Sequence, residues 1–396
     1  MEEWVTEIKL RAMKGKPLVS GGRSIKLNKI SFDDLVFIPA QLTKRPVDYF
    51  KEKISTETII GANSENPLKI KTPIIIAAMS FGALSKEAKI ALAKASKIAG
   101  TATNTGEGGM LPEERKNADI LIAQYSTGRF GVDEKYFKNA DAIEIKIGQG
   151  AKPGQGGLLP GSKVTEDIAK VRKVPEGNDI HSPPCHPDIK SINDLKKKVE
   201  WLRGLIDGRP IIIKLGAGDV ENDVKAAVKA NPDIIAIDGM EGGTGAAPRI
   251  MLDDFGIPAL AALVKARKVL DELKAKQELW ISGGLNKGAD VAKALALGAD
   301  AVYMAFPMLI AMGCTYCKQC YLGKCPGGIT TQDPELRKKL NIDEASKKVA
   351  NFINACTEEV KMAAAACGKR DIHELDRNDL RSLDLTIEKI TGIPLV

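Results

Sequence analysis

Four cysteines lie close together in the sequence and could bind a metal centre. Their spacing is C-x2-C-x2-C-x4-C, and a proline follows the last of them: Cys314, Cys317, Cys320 and Cys325. Bacterial ferredoxins use a similar run that is one residue shorter in the last gap. Structural zinc sites more often use two separated C-x2-C pairs. The spacing therefore favours an iron–sulfur cluster, with zinc as the alternative.

Two glycine-rich segments could hold a phosphate group. The sequence EGGTGA occupies residues 241–246, and Gly283-Gly284 follows the next apolar run. Glycine lets backbone N–H groups approach a phosphate closely. The dinucleotide fingerprint G-x-G-x-x-G is not matched, because Glu221 stands where its third glycine would fall after Gly216 and Gly218. These segments predict a phosphate-bearing cofactor that is not a nicotinamide bound through that fingerprint.

Cationic side chains occur within or just after apolar runs. Lys146 and Lys214 belong to the fourth and fifth apolar runs, and Arg129 and Lys152 lie just beyond the third and fourth. A lysine in a buried strand costs free energy unless its ammonium reaches a counter-charge or a ligand. We therefore expect Lys146 and Lys214 to point into a ligand site, the alternative being surface lysines at strand ends.

The elements that must position these residues form a regular alternation. Short runs rich in Ile, Val and Ala recur at residues 73–78, 100–105, 121–123, 142–147, 210–215, 233–237, 279–282 and 301–304. Between them lie helical patterns, including 86–99, 192–206, 221–230, 259–274 and 288–297. Eight repeats of strand and helix predict an α/β fold, a (β/α)8 TIM barrel with its chemistry at the carboxyl ends of the strands.

Three segments are expected on this basis. Residues 1–69 show scattered apolar positions without a sustained period and are predicted to form an N-terminal cap segment. Residues 70–335 would form the barrel and carry the cysteine loop at 314–325. Residues 336–396 are predicted to form two or three C-terminal helices, the first over 342–366.

Composition excludes several classes of protein. Hydrophobic residues make up 44% and charged residues 28% of the 396, which is typical of a globular protein and not of a disordered one. The net charge of +7 is spread along the chain, so nucleic-acid binding is not expected. No apolar stretch reaches the roughly 18 residues of a membrane span, and no signal sequence is apparent, which predicts a cytoplasmic protein without membrane partners.

Six segments together resemble the synthase domain of glutamate synthase, in order and from about residue 30 to about residue 335. They are MSFGALS (79–85), NTGEGG (104–109), STGRFG (126–131), QGAKPG (149–154), GGTGA (242–246) and MGC (312–314). The resemblance implies FMN in the barrel and an iron–sulfur cluster that passes electrons to it. It also implies reductive amination of 2-oxoglutarate with ammonia through 2-iminoglutarate, with the hydride coming from the reduced flavin.

The resemblance also assigns residues to roles. Met79, Ser80, Gln124 and Lys146 should hold the isoalloxazine ring. The phosphate should be held by Gly242, Gly243, Thr244, Gly245, Gly283, Gly284 and Ala305, the last of which replaces a glycine usual in the family. Glu107, Arg129, Lys152 and Lys214 should lie near the oxoacid as the catalytic groups.

Two departures from the longer family members matter. Residues 1–69 are too few for a glutamine-hydrolysing domain, so ammonia is expected from a separate amidotransferase chain or from solution, as in the stand-alone archaeal-type large subunit. Family members bind a [3Fe–4S] cluster through cysteines matching Cys314, Cys320 and Cys325, and the additional Cys317 would permit [4Fe–4S]. An electron-donor protein or subunit is implied.

Other functions compete with this interpretation. The synthase subunit of an N-methylglutamate synthase, which uses methylamine, has the same motifs. A non-catalytic flavin and iron–sulfur electron-transfer subunit would not need Glu107, Arg129, Lys152 and Lys214. A barrel of the IMP dehydrogenase type would need a nucleophilic cysteine after the strand-six glycines, and residues 242–248 contain none.

Overall fold

Eight parallel strands form the central sheet in the part of the chain that the computed structural model describes, residues 3–24, 26 and 30–396. In chain order they are β1 (Ile74–Ile76), β2 (Ala102–Asn104), β3 (Ile120–Tyr125), β4 (Ala142–Lys146), β5 (Ile211–Gly216), β6 (Ile234–Asp238), β7 (Glu278–Ser282) and β8 (Ala301–Met304). Their order in the sheet is β1-β8-β7-β6-β5-β4-β3-β2. The sheet curls into a nearly closed barrel, which confirms the predicted fold class and all eight strands.

Fourteen α-helices accompany the strands within the described residues. They are α1 (Glu3–Lys14), α2 (Lys86–Ala99), α3 (Pro112–Asn117), α4 (Glu134–Lys138), α5 (Glu166–Arg172), α6 (Ile192–Leu205), α7 (Val220–Ala230), α8 (Arg249–Asp253), α9 (Ala259–Glu272), α10 (Gly288–Ala296), α11 (Phe306–Met312), α12 (Pro334–Arg337), α13 (Ile342–Ala366) and α14 (Leu385–Thr391). The helices predicted from periodicity agree with α2, α6, α7, α9, α10 and α13 to within two residues at each end.

The alternation of side chains along each strand divides the core into two layers. Ile211 and Ile213 pack outward in the large cluster shared with the helices, whereas Ile212 between them packs inside the barrel. Trp280 and Tyr303 fill the barrel interior with an edge-to-face contact at 5.2 Å between ring centroids. Strands buried on both faces explain why the sequence shows continuous apolar runs in place of an alternating pattern.

The terminal segments pack on the barrel and on each other. Leu35–Phe37 pairs antiparallel with Leu380–Ser382, Thr58–Ile60 pairs with Leu68–Ile70, and Val19–Gly22 pairs with Thr244–Pro248 near the end of β6. Helix α13 packs against α2 and α10. The twelve-residue helix α1 differs from the expectation of no sustained period before residue 70. Among the described residues, no helix combines the length and apolar character that crossing a bilayer would require.

One boundary of the barrel is closed by a side chain. Within the described residues no hydrogen-bonded ladder joins β1 to β2, and we call this boundary the seam. The ammonium of Lys89, which is only 1% exposed, donates to the carbonyl oxygens of Met79 at 2.6 Å, Asn104 at 3.1 Å and Thr105 at 3.0 Å. It also forms an ion pair of 2.7 Å with the buried Glu114 of α3. The ends of β1 and β2 are therefore held together by one buried charge.

Replacing Lys89 should destabilise the barrel strongly. Lys89→Met would leave Glu114 buried without its cation and three carbonyls without a donor, so we expect the free energy of unfolding to fall by about 3–5 kcal/mol. Denaturation in urea would measure the loss. Lys97→Met on the same helix is the control, because its ion pair with Asp119 is exposed and should be worth at most about 1 kcal/mol. Equal losses for the two variants would contradict the role of Lys89.

Candidate active site

The carboxyl ends of all eight strands surround one cavity. Every residue predicted to hold the cofactor contributes to its wall: Met79, Ser80, Gln124, Lys146, Gly242, Gly243, Thr244, Gly245, Gly283, Gly284 and Ala305. Of the residues predicted near the substrate, Glu107, Lys152 and Lys214 also line it. One cysteine of the cysteine loop, Cys320, reaches the same cavity.

The pleat of β4 and β5 directs two lysines into this cavity. Ala142 and Ile212 pack inside the barrel, and side chains an even number of residues further along the same strands point to the same face. Lys146 and Lys214 satisfy this rule and stand directly opposite each other in the parallel register of the two strands. Adjacent like charges repel, so each ammonium requires a carboxylate nearby.

Two carboxylates supply that compensation. Lys146 Nζ lies 3.1 Å from Glu107 Oε2, and Lys214 Nζ lies 3.5 Å from Asp238 Oδ2. Asp238 is oriented by the Ser282 hydroxyl, which donates to its Oδ1 at 2.7 Å. Although burial disfavours the ammonium, the Asp238 and Glu144 carboxylates raise the pKa of Lys214 above its usual value. Lys214 is therefore a permanent cation at neutral pH.

Glu107 is held ionised by its surroundings. Burial opposes ionisation, but the Lys146 ammonium and the Ser182 hydroxyl, which donates to Glu107 Oε1, lower the pKa of Glu107 to about 2. A carboxyl with this pKa accepts hydrogen bonds and does not deliver a proton near neutral pH. Glu107 therefore acts as a fixed negative group beside Lys146.

Lys152 is a buried cation without an ion pair in the described part of the chain. Its Nζ donates to the carbonyl oxygen of Ala246 at 3.3 Å. Burial, together with the nearby Lys146, lowers the pKa of Lys152 to about 8. Its ammonium is thus available to an anionic ligand and sensitive to mildly alkaline pH.

Sequence reasoning missed three further cations in the wall, Lys163, Arg172 and Arg23. Arg172, at the end of α5, donates to the carbonyl oxygen of Phe81 at 2.6 and 3.1 Å and to Ser80 Oγ at 3.2 Å. Burial lowers the pKa of Arg172 to about 10, so it stays charged. Lys163 donates to the carbonyl oxygen of Thr330 at 3.1 Å, and burial lowers its pKa to about 8. The long connection between β4 and β5 was the available signal, since long loops on such barrels carry function.

Arg129 does not line the cavity. Its guanidinium lies 3.7 Å above the ring of Tyr125, forms an ion pair with Asp188 and contacts His186 Nδ1 at 2.8 Å. His186 Nε2 donates in turn to the carbonyl oxygen of Lys146 at 2.7 Å. Because a carbonyl only accepts, Nδ1 is the acceptor from Arg129, and burial lowers the pKa of His186 to about 4, which keeps the ring neutral. Arg129 thus holds the outer side of the end of β4.

Packing and backbone angles require glycine in the segments after β6 and β7. A Cβ on Gly243 would lie 1.9 Å from the ring of Phe306, and the φ angles of Gly283 and Gly284 are +102° and +77°. Glu241 lies next to them, and its Oε2 accepts from the Ala259 N–H at 2.9 Å. Burial raises the pKa of Glu241 to about 7. These glycines allow the segments after β6 and β7 and the start of α11, which carries Phe306, to meet at one end of the cavity.

The cysteine loop follows α11 and differs in exposure along its length. Cys317 is exposed, Cys314 and Cys320 are half-buried, and Cys325 is buried. In the described ranges, no group of three or more His, Cys, Asp or Glu side chains is placed to hold a single metal ion.

A family model described as the conserved region in glutamate synthase matches residues 23–370. The chain belongs to the glutamate synthase family. It is 40% identical to a glutamate synthase large subunit-like protein of Rhizobium meliloti, over 94% of this chain and 89% of the relative. It is also 40% identical to an archaeal glutamate synthase [NADPH] of Archaeoglobus fulgidus, over 97% of this chain and 80% of the relative.

This glutamate synthase family member is also similar to part of a longer relative and to two solved structures. The glutamate synthase [NADPH] large chain of Bacillus subtilis is 40% identical over 75% of this chain, which corresponds to 20% of that relative. Among solved structures, a mandelate oxidase variant with an FMN adduct matches with a TM-score of 0.58 at 17% identity, covering 91% of this chain and 94% of that one. A flavocytochrome b2 variant matches with a TM-score of 0.60 at 16% identity, covering 95% and 83%. Both structures show the same fold.

Two glycines test how closely the ends of β1 and β2 must approach. Gly106 and Gly154 have similar φ angles of +67° and +70°, but a Cβ on Gly106 would lie 2.6 Å from the Ser80 amide nitrogen, whereas Gly154 has nothing within 4 Å. We expect Gly154→Ala to cost about 1 kcal/mol of stability from its backbone angle. Gly106→Ala should cost about 1–3 kcal/mol more because backbone must move. Urea denaturation would measure both, and equal losses would refute the close approach.

Proposed function

We propose that this chain is the synthase subunit of a glutamate synthase, which converts 2-oxoglutarate and ammonia into glutamate with electrons delivered through a flavin. The observation that carries this proposal is the charge of the cavity wall. Six cationic side chains and only three carboxylates line it: Arg23, Lys146, Lys152, Lys163, Arg172 and Lys214 against Glu107, Asp238 and Glu241. Such an excess suits anionic ligands, and a dicarboxylate oxoacid and a phosphate ester both fit this charge.

The residues present fit FMN as the cofactor. The two glycine segments and Ala305 would hold the phosphate at one end of the cavity, in keeping with the usual phosphate position on barrels of this fold. The backbone of Met79 and Ser80, with Gln124 and Lys146, would hold the ring. When bound, FMN would supply a hydride to the carbon of 2-iminoglutarate. The named relatives and the FMN-bound structural neighbour support this assignment.

The cations divide into two groups that suggest different roles. Lys146 and Lys214 are already paired with Glu107 and Asp238, whereas Lys152 and Arg172 contact neutral oxygen atoms. We assign the carboxylates of 2-oxoglutarate to Lys152 and Arg172, because a ligand anion gains most from a cation without a resident partner. In this assignment Arg172 contacts the substrate in place of Arg129, which the resemblance placed near the oxoacid. Arg129 instead positions the end of β4.

The paired groups would act on the reacting atoms. Imine formation removes the keto oxygen as water, which requires a hydrogen-bond donor at that oxygen, and the Lys214 ammonium held by Asp238 can serve. The ionised Glu107 can accept a hydrogen bond from the incoming amine and orient it toward the keto carbon. In this scheme the protein supplies orientation and charge, and the cofactor supplies the redox chemistry.

We further propose that the cysteine loop binds an iron–sulfur cluster. Cys320 lines the cavity, and the buried Cys325 shares with it a contact to Thr330, which also lines the cavity, so a cluster there would lie next to the flavin site. The electrons would come from a donor protein or subunit, and the ammonia from a separate amidotransferase chain or from solution. The exposure of Cys317 leaves it accessible as a fourth ligand.

An assay of the purified full chain tests the proposal. Protein prepared without oxygen and reduced with viologen dye should form glutamate from 2-oxoglutarate and ammonium, and 2-oxoglutarate should perturb the flavin spectrum. Faster turnover with methylamine would identify an N-methylglutamate synthase instead. A flavin that is reduced but whose spectrum ignores 2-oxoglutarate would identify an electron-transfer subunit. A colourless protein without iron or FMN would refute all three.

Binding of 2-oxoglutarate should weaken as the pH rises through about 8. Lys152 is charged below its pKa of about 8 and neutral above it, so the anionic ligand loses one cation in that range. The dissociation constant, read from the flavin spectrum, should rise at high pH. Lys152→Arg should remove this pH dependence because guanidinium stays charged. Lys163→Arg is the matched control, because burial also lowers the pKa of Lys163 to about 8. This variant should keep the pH dependence of binding. The assignment would be contradicted if Lys163→Arg removed the pH dependence and Lys152→Arg did not.

Cys317→Ser should reveal the nuclearity of the cluster. If Cys317 is the fourth ligand, the substitution should convert a four-iron paramagnetic signal into a three-iron signal. Cys185→Ser, at the other exposed cysteine among the described residues, is the control and should leave the spectrum unchanged. A three-iron signal already present in the unsubstituted protein, unaltered by Cys317→Ser, would show that Cys317 is not a ligand.

A further inference from the structure

The N-terminal strand fixes Arg23 beside the glycine segment after β6. Val19–Gly22 pairs antiparallel with Thr244–Pro248, and Gly22 stands opposite Thr244. The two backbones touch, because a Cβ on Gly243 would lie 3.2 Å from the Gly22 carbonyl oxygen. Arg23 is the next residue, so the pairing of the strand sets the place from which its side chain starts.

The side chain of Arg23 reaches the second glycine segment. Its Nη1 donates to Asn286 Oδ1 at 3.1 Å, and Asn286 Nδ2 donates to the Gly284 carbonyl oxygen at 2.6 Å. Arg23 lines the cavity together with Gly243, Gly283 and Gly284. A guanidinium has five N–H donors, and the hydrogen bond that Arg23 makes among the described residues goes to a neutral amide. Its charge also lowers the pKa of the nearby Glu241 against the larger effect of burial. Its remaining N–H donors are available at the point where the two glycine segments meet.

The other cations of the cavity have different partners. Lys146 and Lys214 are ion-paired. Lys152 donates to the Ala246 carbonyl oxygen, and Lys163 and Arg172 donate to carbonyl groups of other loops. Glu241 lies at the same end as Arg23 and would repel a phosphate dianion when ionised. A ligand phosphate placed between the glycine segments thus needs a compensating cation, and Arg23 is positioned to supply it.

We propose that Arg23 binds the phosphate group of the flavin mononucleotide, so that the N-terminal segment completes the cofactor site of the barrel. This inference rests on the proposed function, which supplies the flavin. Arginine binds phosphate through two parallel N–H···O bonds, and Asn286 holds the guanidinium plane in place for them.

The comparison of FMN with riboflavin tests this role, because the two flavins differ only in the phosphate. The full chain, stripped of flavin, would be titrated with each, and quenching of flavin fluorescence would give the dissociation constants. We expect Arg23→Ala to weaken FMN binding about tenfold or more, as for a charge-assisted contact, and to leave riboflavin binding unchanged. Arg23→Lys should lie between the two, since it keeps the charge but loses the paired geometry.

Arg45→Ala is the matched control, because it removes an exposed arginine from the same N-terminal segment and should alter neither constant. Equal weakening of FMN and riboflavin in Arg23→Ala and Arg23→Lys would overturn the inference and assign Arg23 to holding the loops. Unchanged binding of both flavins would also overturn it. An unsubstituted chain that binds neither flavin would instead refute the proposed function, so the two failures are distinguishable.

Discussion

The buried ammonium of Lys89 is the interaction on which the site depends. The sheet has no ladder across the seam in its described residues, yet the loops after β1 and β2 must meet there. Lys89 holds the carbonyl groups of Met79, Asn104 and Thr105 with a single charge, and Glu114 neutralises it. Met79 belongs to the proposed flavin cradle, and Glu107 follows two residues after Thr105. The geometry of both therefore derives from a residue that touches neither ligand.

Alternation of charge organises the rest of the cavity. The register of β4 and β5 brings Lys146 and Lys214 side by side. Glu107 compensates the charge of the first ammonium, and Asp238 compensates that of the second. The other four cations, Arg23, Lys152, Lys163 and Arg172, donate hydrogen bonds to neutral groups and so retain affinity for an anion. In the proposed function, this division separates the groups that would orient the reacting centre from those that would anchor the substrate.

The sequence allowed the barrel to be predicted almost completely, because a strand buried on both faces leaves a continuous apolar run and each helix between strands leaves its own period. Inward orientation of Lys146 and Lys214 followed from the same pattern. Lys89 could not be recognised, since it lies among Lys86, Lys94 and Lys97 of one helix and only the packing shows which is buried. Arg172 reaches the cavity from the long connection between β4 and β5, whose length was the signal for it. Arg23 reaches the cavity from the N-terminal segment, which carries no local signal. Helix α1 was also missed, and its apolar side chains Trp4, Ile8 and Met13 are exposed.

The strand Val19–Gly22 lies between the segment after β6 and the cysteine loop. On one side it pairs with Thr244–Pro248, and on the other the Gly21 N–H donates to the carbonyl oxygen of Lys318 in the cysteine loop at 3.0 Å. A shift of this one strand would therefore displace the glycine segment after β6 and the cysteine loop together, so their positions are mechanically linked.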